Sequence, residues 1–502
     1  MVVKYIEKKY IRQDTIEHRD YQINLAHDAV NENCIVVLPT GLGKTTVGLY
    51  VMADYLARNT GGSLFLAPTR VLASQHYNFL KDAMTLDDIS LVTGEDSVQK
   101  RKQRWIASVV CATPEIARND FERGVVHPSQ FNLVIFDEVH RAVGDYAYTV
   151  IAQRFVGRDV RIMGMTATLP SEMEKATEIV TRLRISKVVE RTDTSDDVKP
   201  YIQDTQTQWV MIDLPPEMIR MQRDLKRALT DRYNILKSNG SLSLGTPSLS
   251  TLLRIRQRIF SQYRGLIVPL MSAIRIHYAL NILEAHGITP FLNFCARTRK
   301  KGGPGTIDLL DNDKFFSRTV QSATQYQSQG LEHPKIPKLR ELLAKIPGKV
   351  LIFASYRDTV DVIYDNLQKM NIPSAILIGK AGETGLKQKK QIETVQKFRD
   401  GQYRVLVATR VGEEGLDIAE VNHVIFYDSV PSSIRYIQRK GRTGRKNTGK
   451  LIVLIAKNTI DETYYWVGKR KVKAASNVGS KMTRLLNENK SKPAQTSMDA
   501  FT

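Results

Sequence analysis

The chain has 502 residues, 42% of them hydrophobic and 25% charged, with a formal net charge of +21. Its length exceeds what one core holds and suggests about three domains; the composition excludes a disordered chain, and so positive a surface points to a polyanion, of which nucleic acid is the commonest. Cys34, Cys111 and Cys295 stand too far apart for a metal-ligand set, and no stretch reads as a signal peptide or approaches the ~18 apolar residues of a membrane span. A cytoplasmic, nucleoid-associated protein with no membrane partner is therefore expected.

In chain order, the first block alternates short β-branched runs with helical patterns, as parallel α/β sheets do. Its runs are "CIVVLPT", "SLFLAPT", "SVVCATP", "LVIFDEVH" and "RIMGMTAT", nearly all stopping at a small or polar residue where a strand hands over to a functional loop. The first leads into "LPTGLGKTT", where Leu38 replaces the first glycine of G-x-x-x-x-G-K-[ST] while Gly41 and Gly43 are kept. With Thr40, those glycines let backbone N–H groups curl around phosphate oxygens at a helix start. Lys44 is then expected to bridge the β- and γ-phosphates of ATP, and Thr45 to ligate Mg²⁺. An ATPase also needs one carboxylate for the metal shell and one to activate water; "LVIFDEVH" offers Asp137 for the first task and Glu138, as general base, for the second.

From about Asp213 to about Gly330 the periodicity becomes helical. Pro215 and Pro216 open a helix that Gly240 closes, striped by Met218, Met221, Leu225, Leu229, Tyr233 and Leu236. A second stripe runs through Leu252, Ile255, Ile259, Tyr263 and Leu266. Positions 211–330 hold 17 basic and 8 acidic residues, a net +9; Arg254 and Arg258 share a face and "RTRKK" follows at 297–301, so the segment reads as a nucleic-acid-binding insert. A second α/β block follows with "KVLIFAS", "SAILIG", "YRVLVAT" and "HVIFYDS", then "QRKGRTGR". Arg442 and Arg445, three apart on a helical turn, can both reach a γ-phosphate across a cleft, with Gln438 beside them. Hydrolysis is then complete only when the two blocks close on each other. From about Trp466 the chain is basic and apolar-poor, read as one short helix and a flexible end. The expected domains are 1–212, 213–330, 331–465 and a tail, 466–502.

The series "RDYQ", "LPTGLGKTT", "APTRVLASQ", "ATPE", "DEVH", "TAT", "LIFASY", "ATRVGEEGLDI" and "QRKGRTGR" resembles, in order, the superfamily 2 helicases and translocases of the DEAH type. The resemblance implies two RecA-like parallel-sheet motor domains with the helical insert between them and a partly disordered basic tail. It implies that Gln22 reads adenine, that Asp417 contacts the ribose, and that Thr166 and Thr168 couple hydrolysis to movement. His140 and Gln438 would communicate across the cleft. Pro68, Thr69, Arg70, Thr113, Pro114, Ser355 and Thr409 would hold the phosphates of one nucleic-acid strand, with weak sequence preference because no base edge is read.

Insert, "DEVH" and "DDVKPY" are similar to the archaeal Hef helicases and their Fanconi anaemia M-type relatives, which implies remodelling of forks and Holliday junctions with 3′→5′ travel. Dicer and the RIG-I-like RNA sensors share the insert position, so double-stranded RNA is a second substrate class. A non-catalytic junction-binding adaptor is a third reading, opposed by the intact Lys44, Thr45, Asp137, Glu138, Arg442 and Arg445. No E-R-K-x-x-x-D core of an XPF-type nuclease occurs, and no nuclease activity is expected. In "KPAQTSMDAFT", Gln495, Met498 and Phe501 resemble the clamp-binding box that docks on PCNA, with Thr502 where a second aromatic is usual. Such a box buries its anchors only on the partner.

Overall fold

Apolar runs buried along their whole length belong in parallel sheets covered on both faces. The computed structural model describes residues 4–58, 61–202, 205–239, 247–379, 388–409, 418, 421–440 and 449–490. The first sheet contains β1 (Cys34–Val37), β2 (Gly62–Leu66), β3 (Ile89–Val92), β4 (Val109–Ala112), β5 (Phe131–Phe136), β6 (Arg161–Thr166) and β7 (Lys187–Glu190), in the order β3-β4-β2-β5-β6-β1-β7. Alternate side chains leave opposite faces: Ile35 and Val37 enter one core, Cys34 and Val36 the other. Burial pushes the Cys34 thiol up to about 12, so it serves as a small apolar group, and all three cysteines are free and buried.

The second sheet contains β8 (Thr205–Ile212), β9 (Val350–Phe353), β10 (Ser374–Leu377), β11 (Val405–Ala408), β12 (His423–Phe426) and β13 (Gly449–Ala456), in the order β10-β11-β9-β12-β13-β8. This corrects the first domain boundary. Thr205 lies opposite Gly449 and Ile212 opposite Ala456, so residues 205–212 are an edge of the second sheet and not the end of the first domain. A strand exposed along one side pairs with a distant partner, and its own residues do not say whose edge it completes.

The insert is helical, as expected, with helices Pro216–Ser238, Leu249–Gln262, Ile267–His286, Ile288–Lys301 and Lys314–Ser328. The whole stripe of the first helix is buried, while Gly240 lies outside the described residues. In the second stripe Leu252 and Ile259 are buried, but the helix ends at Gln262 and Tyr263 turns out to solvent. Residues Arg264–His286 are long and apolar enough to cross a membrane by length and composition, which corrects the expectation that no stretch is. Here they form the insert's central helix, with Leu270, Ala273 and Ile276 packed in one core with Leu225 and Leu229.

A buried polar hub fastens the insert to the second lobe. Lys335, 0% exposed, has three ammonium protons and three acceptors. Its Nζ donates to Asp461 Oδ2 at 2.7 Å, to Tyr427 O at 2.7 Å and, at the end of the insert's central helix, to Ala285 O at 3.4 Å. Beside it, Glu284 accepts from Gln222 Nε2 and from the Ile460 N–H, each at 2.7 Å.

The expected short tail helix is instead a 31-residue helix, Ile460–Lys490, rooted at this hub and docked on the first lobe. Val478 and Met482 complete a first-lobe core, and Thr483 Oγ1 donates to Val188 O at 3.0 Å. A glycine inside a helix weakens it by about 1 kcal/mol relative to alanine, but at Gly479 a Cβ would stand 2.4 Å from Glu190 Oε2. The helix thus presses its bare Gly479 turn against a carboxyl group. Burial pushes that Glu190 carboxyl from its ordinary 4.5 up to about 7. The folded state therefore favours the protonated form: its stabilising contribution is complete below about pH 4.5 and is lost as pH rises to about 7. Glu190→Gln is expected to raise Tm above pH 7 and leave it unchanged near pH 4.5; a Tm difference that does not vary with pH would sink this account.

Candidate active site

The strand order decides what meets what. β5, β6 and β1 are neighbours, with Phe136 opposite Gly164 and Val37 opposite Thr166. Their carboxyl ends therefore bring the phosphate loop, the Asp137-Glu138 pair and the Thr166 loop side by side. Gly41 and Gly43 take φ of 93° and 80°, the left-handed region glycine favours. A Cβ on Gly43 would stand 2.4 Å from Gln22 Nε2. Gln22 Nε2 and the Tyr21 hydroxyl both donate to Leu42 O at 2.9 Å, tying the expected adenine reader to the phosphate loop. The helix Lys44–Arg58 begins there, with Thr45 in its first turn and Lys44 Nζ donating to Leu38 O at 3.1 Å.

Asp137 is buried, with its Oδ2 2.8 Å from His76 Nε2 and its Oδ1 accepting the Glu138 N–H at 2.9 Å. Burial alone would raise its pKa, but the His76 contact, the Lys44 charge and the Glu138 N–H hold the carboxyl below its usual range. It is thus an anionic oxygen donor suited to a hard cation. His76 went unassigned in the sequence, though it shares the buried face of helix Arg70–Ala83 with Ala73 and Leu80. A histidine in an apolar stripe was the available signal. The Tyr148 hydroxyl adds a bond to Asp137 O at 2.7 Å, pinning the strand end.

Glu138 adopts φ 49°, ψ 49°, a left-handed conformation that costs a non-glycine residue about 1–2 kcal/mol. Such strain collects where a side chain must be aimed. Its buried Oε2 lies 3.2 Å from His140 Nδ1 but outside hydrogen-bonding geometry. Nδ1 faces Thr166 Oγ1 at 3.0 Å, and that hydroxyl gives its one proton to Thr168 O at 2.8 Å. Nδ1 must then be the donor to Oγ1. The result is a buried Glu138 Oε2 to which no hydrogen bond is donated. The expected coupling residues His140, Thr166 and Thr168 are therefore one connected chain. Gln438 is buried on the second lobe at the end of helix Ser433–Lys440, and Arg442, Arg445 and Asp417 lie outside the described residues.

The expected phosphate-holding residues follow β2, β4, β9 and β11. Thr69 Oγ1 accepts from the Leu72 N–H at 3.3 Å and caps helix Arg70–Ala83; Thr113 precedes Pro114 at the start of helix Pro114–Glu122. Because β2 and β4 are neighbours, two helix N-termini stand together, an arrangement suited to phosphate. Arg70 forms an ion pair with Glu95. Thr409 is buried, its N–H donating to Leu377 O at 3.1 Å.

The Ser355 N–H donates to Asp428 Oδ1 at 2.8 Å, and its hydroxyl bonds the other carboxylate oxygen. Burial would raise the Asp428 pKa, but the Arg439 charge and further contacts hold it below the usual range. Arg439, fully buried over the Phe353 and Phe426 rings, also donates to Asp428 O at 3.1 Å. Sequence reasoning missed both Asp428 and Arg439, which sit beside assigned residues. Arg254 and Arg258 are exposed on the insert helix Leu249–Gln262, and Gln495, Met498 and Phe501 lie outside the described residues.

Comparison with known proteins accords with this geometry. The DEAD/DEAH box helicase family matches residues 19–176, and the helicase conserved C-terminal domain matches 334–447. The Hef helicase domain of Pyrococcus furiosus is 34% identical with a TM-score of 0.68, over 91% of this chain and 99% of that one. "Putative ATP-dependent RNA helicase MJ1505" of Methanocaldococcus jannaschii is 35% identical over 96% of this chain and 63% of its own length. ATP-dependent DNA helicase MPH1 of Pyricularia oryzae is 32% identical over 89% of this chain and 44% of its own. The chain thus spans 44–63% of those two relatives. With the motor motifs arranged on two parallel sheets around a helical insert, and a match to almost the whole Hef helicase domain, the chain belongs to the Hef-like DEAD/DEAH-box helicases.

Proposed function

We propose that the chain is an ATP-driven helicase or translocase acting on DNA. The observation that carries this reading is the buried Glu138 Oε2, which accepts no hydrogen bond, beside an ionised Asp137 at the end of β5. Glu138 takes the proton of the water that attacks the γ-phosphate, and 3.2 Å from its Oε2 stands His140, which the Thr166 hydroxyl connects to Thr168 in the loop after β6. Lys44 and the loop N–H groups around Gly41 and Gly43 hold the phosphates. Mg²⁺, held by Thr45 and Asp137, would neutralise developing charge. Arg442 and Arg445, expected from sequence to reach the γ-phosphate, would make hydrolysis depend on closure of one lobe on the other. The names of the DNA helicase relatives support DNA; the Methanocaldococcus jannaschii relative's name supports RNA. ATP hydrolysis with forked DNA and with RNA duplex separates them: larger stimulation by the RNA duplex would overturn the DNA reading.

We further propose that the substrate is branched DNA at stalled forks, travelled 3′→5′ in the cytoplasm beside the nucleoid, with PCNA as a tail partner. Support for branch binding is the net +9 of positions 211–330 and the exposed Arg254 and Arg258. Reversing both to Glu is expected to weaken junction binding roughly tenfold and single-strand binding much less. Equal losses, measured by fluorescence anisotropy, would make the insert a general attractor. For the clamp, deleting 495–502 should reduce retention on PCNA; unchanged retention removes the box from the proposal.

A further inference from the structure

Two of the three tryptophans in the chain are half exposed, and they lie together. Trp209 on β8 is 50% exposed and Trp466 on helix Ile460–Lys490 is 48% exposed, while Trp105 is 1% exposed. Lys469 Nζ lies 5.1 Å from the Trp209 ring centroid and 5.4 Å from that of Trp466. Tyr465 packs edge-on to Trp466 and accepts a hydrogen bond from Trp209 Nε1, which fixes the pair. Arg470 and Lys473 are exposed on the same helix, and neither they nor Lys469 form an ion pair among the described residues.

Large indoles left in water on a rigid strand and helix, with cations unmatched by carboxylates, are the ingredients of a base-stacking platform beside a backbone-attracting stripe. The helix itself carries seven basic and three acidic residues, so a polyanion fits better than an acidic-patched or apolar protein surface. The platform is distinct from the phosphate-holding loops. β12 and β13 separate β8 from β9, a lateral offset of about 14 Å at normal strand spacing, and Trp209 sits mid-strand, opposite Val453, rather than at a carboxyl end.

We propose that Trp209, Trp466 and Lys469 form a second contact for single-stranded nucleic acid, separate from the loops after β2, β4, β9 and β11. It rests on the reading of the chain as a nucleic-acid motor, and adds a place where bases, not only phosphates, are held. Stacking tolerates any base, so the contact would lengthen the footprint without adding sequence preference.

The test uses the full chain and an unstructured, dye-labelled oligothymidylate, followed by anisotropy and by intrinsic tryptophan fluorescence. Trp105 is buried and silent to stacking, so saturable quenching reports on Trp209 and Trp466. Trp209→Ala with Trp466→Ala should weaken binding roughly 10–100-fold, while Phe at both positions, which keeps the rings, should hold affinity near that of the unaltered chain. Lys469→Glu with Lys473→Glu should weaken binding and steepen in effect as salt is lowered. Anisotropy that saturates without any quenching overturns the platform alone and leaves the patch to a protein partner. A chain that neither binds the oligonucleotide nor hydrolyses ATP with it overturns the motor reading beneath the proposal as well.

Discussion

Glu138→Gln is expected to lower kcat for DNA-stimulated ATP hydrolysis by about 10²–10⁴-fold, the usual worth of a general base. Binding of ATP and DNA should stay near that of the unaltered chain. The amide matches the carboxylate in shape and can sit in the same left-handed backbone position, but it cannot accept a proton. The neighbours make the substitution informative: Asp137 keeps its His76 and Lys44 partners, so a metal site should survive. Steady-state hydrolysis near the unaltered rate would remove Glu138 from the role and leave its strained conformation without a chemical reason.

The second large effect concerns the hub. Asp461→Ala is expected to destabilise the second lobe by about 3–5 kcal/mol, because it strands the Lys335 ammonium in a fully buried site. It also orphans the N–H groups of Ser429 and Ala456, which donate to Asp461 at 2.8 Å and 3.0 Å. Adding Lys335→Met should recover part of the loss by removing the stranded charge, but not all, since those two N–H groups stay unpaired. Chemical denaturation of the three variants measures this. If Asp461→Ala cost less than about 1 kcal/mol, water or another acceptor must reach the ammonium.

The quality that made some elements legible was local. β1, β2, β4, β5 and β6, and β9 to β12, are apolar runs that stop at a polar residue, and each was visible in the chain. β3 and β7 went unread because Ser90 interrupts the apolar run of one, and Lys187 and Glu190 bound that of the other. β8 was assigned to the wrong lobe because pairing between residues more than 200 apart leaves no trace in either segment. β13, "GKLIVLIA", is apolar from Leu451 onward and was overlooked.

The same division runs through the site. The residues expected to recognise ATP or phosphate lie in motifs that are legible in the sequence. Those that position them, His76 on Asp137 and Asp428 with Arg439 on Ser355, act across 61, 73 and 84 positions and were not. The tail failed for a related reason: basic residues dominate its composition, yet Ala475, Val478 and Met482 supply a buried face spaced three to four apart.

That long helix has a mechanical consequence. Its root is gripped at Asp461 and its far part at Thr483, which at 1.5 Å per residue are about 33 Å apart. A rigid rod of that length swings its tip by about 0.6 Å for each degree of tilt at the pivot. Cores fitted to sub-ångström tolerance do not accommodate such a sweep continuously. A stroke of the motor larger than a few degrees about that pivot must bend the rod or unseat Val478 and Met482 from the core they share with Val37, so the travel of the two lobes is metered by how that seat is packed against the strand that leads into the phosphate loop.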